Sequence, residues 1–209
     1  MKKLQIPLGI LGGICCLLLA LALGLAFIHL TGIPYRLEPF TNELAMQNYR
    51  AVMRFLSPFV NEPFSLPSLP FSADGARHFA DCKPLFNGVY ILGLIGLAGF
   101  AALLFALRKQ KKRAFWLTSG ITTLAAPAAL LLYMAVDFDR VFILFHKVFF
   151  NNDLWLFDPK TDPIINLMPE SFFMHCAVLL VSCVILAAAA QLALGFIKRG
   201  KPPQDPVDL

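Results

Sequence analysis

Four long stretches of this 209-residue chain hold no charged side chain, and Asp, Glu, Lys and Arg together make up only 15% of it. Soluble domains carry about 25%. With 58% hydrophobic residues and a mean hydropathy of +0.68, the chain is no ordinary soluble domain. Paired cysteines are missing too: Cys15, Cys16, Cys82, Cys176 and Cys183 form no C-x-x-C. A membrane thiol oxidoreductase needs paired, exposed thiols, and only Cys82 and Cys176 fall where such a pair would lie, so the chain is a poor fit to that class and the other cysteines are expected to be small apolar packing groups. No H-E-x-x-H is present, and no basic stripe interleaved with aromatics, which leaves no recognised zinc spacing and no nucleic-acid groove.

What is there is hydrocarbon-compatible sequence. Ile6 to Leu30, Val89 to Leu107, Ala114 to Val136 and Phe172 to Ile197 are each long enough to cross about 30 Å of lipid. The first run follows Lys2 and Lys3 like a secretory signal, but it is too long and lacks a small-x-small cleavage site. Ile14 before Cys15 also opposes a lipoprotein signal. Lys2, Lys3, the cluster Arg108 to Arg113, and Lys198, Arg199 and Lys201 fall on one side of the four spans, which the positive-inside rule makes cytoplasmic. The expected architecture is therefore all-α: one membrane domain over residues 1–209, a four-helix bundle with both termini inside. Outer connections 31–88 and 137–171 form a cap, with a cytoplasmic hairpin at 108–113 and a tail at 198–209.

The short hairpin predicts that the second and third spans are antiparallel neighbours. Gly93, Gly96, Gly99 and Ala102 recur three apart on the second span, and Gly9, Gly12 and Gly13 lie on the first; both sets suit close helix contact. Pro127 is expected to kink or break the third span. In the first outer connection, Ala45, Tyr49, Val52, Met53 and Leu56 follow helical spacing opposite Gln47, Arg50 and Arg54. That pattern predicts an interfacial helix over 43–56, capped by Thr41 or Asn42. Four prolines between Ser57 and Pro70 predict an extended strap, followed by a short helix over 72–83 that feeds the second span.

Candidate chemistry collects in the outer connections. All four histidines (His29, His78, His146, His175) lie near the outer surface, where an acid–base site can form. His78 and Asp81 share a helix face, so the carboxylate could orient the imidazole; a surface pair with no catalytic role has the same spacing. On a helix over 137–150, Phe138, Val141, Phe142, Phe145 and Phe149 would face the interface and leave His146 at its boundary. The segment from Phe145 to Phe173 sets Asp153, Asp158 and Asp162 among prolines and large apolar groups, too apolar for open water and too polar for the bilayer core.

Two motifs carry a resemblance. His78, Asp81 and Lys83 match one, and the run F-H-x-x-F-F-x-N-D-x-W-x-x-D-P-x-T-D-P is matched by Phe145, His146, Phe149, Phe150, Asn152, Asp153, Trp155, Asp158, Pro159, Thr161, Asp162 and Pro163. Asn48 and Tyr49 fit an Asn-Tyr pair in the first outer loop. Together with the spans, these resemble the bacterial lipoprotein intramolecular transacylase family, Lit; Cys82 stands where the resemblance leads one to expect Val. The resemblance implies an acyl shift within one diacylglyceryl-modified lipoprotein, from the glyceryl sn-2 oxygen to the α-amine of its N-terminal Cys, giving a lyso-form product. No cofactor and no metal ligand are expected, and membrane lipids and the lipoprotein are the expected partners. His78 is expected as base and His146 as acid or oxyanion donor, or the reverse. Asp81 would orient His78, and Tyr49, Lys83, Asn152, Asp153, Trp155, Asp158 and Asp162 would shape the site.

Three other readings use the same residues. Cys82 beside His78 could be a thiol nucleophile. His29 and His175 could flank a haem, or the His and Asp residues could bind zinc. The outer loops could also be a docking face without catalysis.

Overall fold

The structure is a computed structural model that describes residues 2–38, 42–58, 60–110 and 112–197. Seven α-helices follow in order: α1 (Lys2–Thr31), α2 (Ile33–Arg36), α3 (Glu43–Leu56), α4 (Ala73–Ala106), α5 (Arg113–Val136), α6 (Phe138–Phe149) and α7 (Glu170–Phe196), with a 3-10 turn at Pro163–Asn166. Four of them, α1, α4, α5 and α7, are long and apolar enough to cross a membrane. Lys111, Lys198, Arg199, Lys201 and the tail 198–209 lie outside the described residues, as does Thr41.

The bundle is arranged around α1, which packs against α4, α5 and α7, while α5 and α7 pack against each other. Small residues allow the approach. A Cβ on Gly93 would collide with Ala22 of α1, and one on Gly96 would lie 2.5 Å from the Cys15 carbonyl. Gly9, Gly12 and Gly13 meet Thr118, Phe115 and Thr122 of α5 in the same way. Both glycine sets thus serve helix contact, as van der Waals packing in lipid requires.

Contrary to the hairpin argument, α4 and α5 are not neighbours along their length. They meet at the hairpin end, where Phe100 packs with Phe115 and Trp116, and α1 separates them beyond it. Pro127 does not break α5, which stays helical through Val136. Sequence reasoning also missed a polar knot inside the bundle. The Ser119 hydroxyl donates to Gln191 Oε1, and Gln191 Nε2 donates to Thr123 Oγ1 at 3.0 Å and Cys16 Sγ at 3.0 Å. Every polar group of that side chain is satisfied, which is what a buried amide in apolar surroundings demands.

At the other end, the connections fold into a cap. The helix over 43–56 forms with Asn42 as its cap, the Asn42 side chain accepting from Ala45 N at 2.8 Å. Its apolar face does not lie on lipid, however. Ala45, Tyr49, Val52 and Leu56 are buried in a protein core shared with Phe79, Ile164 and other cap residues. Gly32, at φ +60°, turns the chain from α1 into α2 and brings it against the Tyr49 ring, a left-handed backbone that favours glycine. The strap is extended, and Asn48 holds it by donating to Ser68 Oγ at 2.7 Å. The short helix expected over 72–83 is continuous with the second span. At 34 residues, α4 is about 51 Å long, well beyond about 30 Å of hydrocarbon, so its polar first turns stand in the cap.

Candidate active site

The protruding part of α4 carries His78, and α6 carries His146; in space the two meet. Their ring centroids are 5.9 Å apart at an interplanar angle of 32°, and both residues are buried, at 7% and 8% exposure. A helix cap brings this about. Asp137 caps α6 by accepting from Arg140 N at 3.0 Å, so the chain turns sharply after α5 and runs back across the bundle end. The exposed face of α6 is then Leu144, Phe145, Val148 and Phe149, with His146 turned inward. His146 is therefore not a boundary residue anchored in head groups.

The rings sit in an aromatic box. Phe150 lies 4.9 Å from His78 and Phe157 lies 5.5 Å from it, while Trp155 stacks on His146 at 4.6 Å and 26°. The hydrogen bonds distinguish the two imidazoles. His146 Nδ1 contacts the Phe142 carbonyl at 2.7 Å, and since a carbonyl only accepts, Nδ1 carries the proton and Nε2 is a bare lone pair. His78 Nδ1 is buried without a partner, and its Nε2 faces Cys82 Sγ at 3.5 Å. Burial pulls the His146 pKa below its ordinary value, with the Phe142 carbonyl opposing. Burial, then repulsion from His146, lowers that of His78 to about 4 against the pull of Asp81. Both rings are thus neutral at physiological pH. Trp155 Nε1 is a second buried polar atom without a partner, a donor beside the His146 ring.

The remaining expected site residues separate. Asp81 does not hold His78: its oxygens accept from Asn152 Nδ2 at 3.1 Å and pair with Arg77 Nε at 3.5 Å. It instead ties α4 to the loop that carries Trp155. Asp162 does the same farther up, accepting from Ser72 N and from Thr161 Oγ1, each at 2.8 Å, at the start of α4. Lys83 is outside the site, with its ammonium on the Val60 carbonyl and 4.6 Å above the Phe55 ring, where it anchors the strap. Tyr49 stacks on Tyr35 at 4.8 Å in the cap core. Asp153 and Asp158 are exposed, and Asp158 forms a turn by accepting from Lys160 N at 2.9 Å.

The other histidines have structural partners. His29 Nε2 donates to the Met53 carbonyl at 2.9 Å, so its Nδ1 accepts from Tyr90 Oη at 2.7 Å and no ring nitrogen is left for a haem iron. His175 Nδ1 lies 3.1 Å from Glu38 Oε1, whose other oxygen accepts from Ser171 Oγ at 2.7 Å. Among the described residues no group of three His, Cys, Asp or Glu side chains could hold a metal. Sequence reasoning overlooked Glu38 and the Ser72 tether; only Ser72 had a signal, as an N-cap residue in front of a helix.

Comparison with known proteins agrees with this architecture. The family model described as lipoprotein intramolecular transacylase Lit matches residues 10–173. The chain matches no curated protein. Among solved structures, the membrane integral lipoprotein intramolecular transacylase Lit from Bacillus cereus superposes with a TM-score of 0.85 at 28% identity, over 93% of this chain and 95% of that one. Two variants of that protein with a histidine replaced, by arginine or by alanine, give TM-scores of 0.80 and 0.78, both at 27% identity and 93% of this chain, over 91% and 93% of theirs. A match over most of its length, in sequence and in fold, places this chain in the Lit family of lipoprotein intramolecular transacylases, a family of acyltransferases.

Proposed function

We propose that this transacylase moves an acyl chain from the glyceryl sn-2 oxygen of a diacylglyceryl lipoprotein to the α-amine of its N-terminal Cys, with His146 and His78 at the reacting atoms. The observation that carries this reading is the pair of imidazoles 5.9 Å apart, one bonded only through Nδ1 to a carbonyl and one with an unsatisfied nitrogen, inside an aromatic box. Between them they supply a base and a hydrogen-bond donor within reach of one bound ester.

The hydrogen bonds favour His146 as the base, the reverse of the first expectation. Its Nε2 takes the proton from the attacking amine, and the Phe142 carbonyl stabilises the imidazolium through Nδ1–H. The amine nitrogen bonds to the ester carbonyl carbon, and the resulting oxyanion accepts from His78, which stays neutral because burial disfavours its charge. Collapse breaks the bond to the glyceryl oxygen, which takes the same proton back from His146. Amide, alcohol and neutral enzyme result, and no covalent enzyme intermediate forms, which leaves Cys82 without a nucleophilic role. Since amine and ester belong to one molecule, holding them in register supplies much of the acceleration; effective molarities of about 10⁵ to 10⁸ M are known for such reactions.

The positions of Lys2, Lys3 and the hairpin lysines and arginines orient the hairpin end to the cytoplasm and the cap to the outer leaflet. The four spans, the cap and the hairpin make one membrane domain. The test is expression in bacteria lacking their own N-acylating enzyme, with mass spectrometry of a model lipoprotein. Lyso-form product is expected from the wild type. His146→Ala and His78→Ala should each lower its rate by about 10² to 10⁴; unchanged product from both variants would remove these side chains from the chemistry.

A further inference from the structure

Cys82 follows His78 by one helical turn on α4, and its Sγ lies 3.5 Å from His78 Nε2. Among the described residues it is the ring's sole hydrogen-bond partner, because the nearby Asp81 carboxylate is taken up by Arg77 and Asn152. Either atom of the pair could formally donate. Burial pushes the Cys82 thiol up to about 12, so its proton is retained. Sulfur is a weak acceptor and an imidazole nitrogen a strong one, so the pair is better matched with S–H donating. The His78 proton must then sit on Nδ1, the atom that is buried and without a partner.

We infer that the Cys82 thiol donates to His78 Nε2 and so fixes the tautomer in which His78 presents Nδ1–H to the substrate. Cys82 is then a positioning residue: it touches no reacting atom and decides which nitrogen of the oxyanion donor carries the proton. The inference rests on the proposed role of His78 but is read out separately from it. Valine fills nearly the same volume with no proton to donate. In its place the ring is free to protonate at Nε2, which turns a lone pair toward the substrate oxyanion.

Nitrogen NMR of the full-length protein in lipid, labelled at histidine and assigned by loss of signal in His78→Gln, tests this directly. The wild type is expected to show a pyrrole-like Nδ1 and a pyridine-like Nε2 at His78. Cys82→Val should populate both tautomers and lower kcat about threefold with KM unchanged, as for loss of one modest hydrogen bond. Cys82→Ser should restore the wild-type nitrogen pattern and most of the rate. A protonated Nε2 in the wild type overturns the inference without any variant, and so does a Cys82→Val protein with the wild-type pattern. If His78→Ala instead keeps full activity, the catalytic reading fails while the nitrogen spectrum still reports the thiol contact.

Discussion

Replacement of Asp162 by alanine should loosen the site without touching either histidine. The carboxylate is 3% exposed, accepts one hydrogen bond from Ser72 N and one from Thr161 Oγ1, and lies so close to Gly75 that a Cβ there would collide with it. Ser72 in turn caps α4 through Gly75 N at 2.9 Å, so Asp162 closes the helix that carries His78. Hydrogen bonds to a charged group contribute about 1.5–3 kcal/mol, and a negative charge at a helix start adds about 0.3–1 kcal/mol. Alanine would leave Ser72 N–H unsatisfied, for a loss of about 3 kcal/mol, or roughly 6–12 °C in Tm at this chain length. Asparagine keeps an acceptor and gives up the charge, for about 1 kcal/mol and roughly 2–4 °C. The assay is thermal unfolding of the purified protein in lipid, followed by tryptophan fluorescence alongside lyso-product formation. Burial pushes the Asp162 carboxyl up, but the bonds from Ser72 and Thr161 outweigh it and hold the pKa below the ordinary 3.8. Its stabilisation is therefore present above that value and is lost as the pH falls through the lowered folded-state pKa, so wild type and Asp162→Ala should converge in strong acid. If both variants unfold within a degree of the wild type at neutral pH, the tether does not hold the cap.

Three further outcomes are expected. The rate should rise with pH toward about 8, where the substrate amine loses its proton, and fall more steeply below the lowered pKa of His146, where the base is also protonated; a profile flat between the ordinary His value of about 6.5 and about 8 would exclude control by the amine. Gly96→Val should deplete folded protein, since its Cβ would meet the Cys15 backbone carbonyl at 2.5 Å, whereas Gly88→Ala, with open space around it, should behave as wild type in detergent-stability measurements. Lys83→Met should lower the Tm by roughly 2–8 °C, through loss of the Val60 bond and the contact with Phe55, and still form product; abolished turnover in folded protein would return Lys83 to the site.

Much of the architecture could be read from the chain because lipid imposes it locally. A run of about 20 apolar residues must be a spanning helix, since backbone groups in hydrocarbon can bond only within the segment. The 43–56 helix was legible from its spacing and its Asn42 cap. Where its apolar face went was not, because the same periodicity suits a lipid surface and a protein core; only Phe79, Ile164 and Phe172 arriving from distant segments settle that. Pairing of the second and third spans failed for a similar reason. A short hairpin constrains one end of two helices, and glycines at Gly93 and Gly96 let α1 come closer to α4 than α5 does.

The sequence by itself determined the class of protein, its spans, and which two histidines lie in the connections between spans, because each follows from hydropathy, charge and local spacing. Tertiary structure alone decided that His78 and His146 share one aromatic box, that Asp81, Lys83 and Asp162 act as tethers, and that Cys82 touches His78 Nε2. The role of a polar side chain is set by the partners that folding brings within about 3 Å of it. Cys82 excepted, one helical turn from His78, those partners lie tens of residues away along the chain, where no spacing rule reaches.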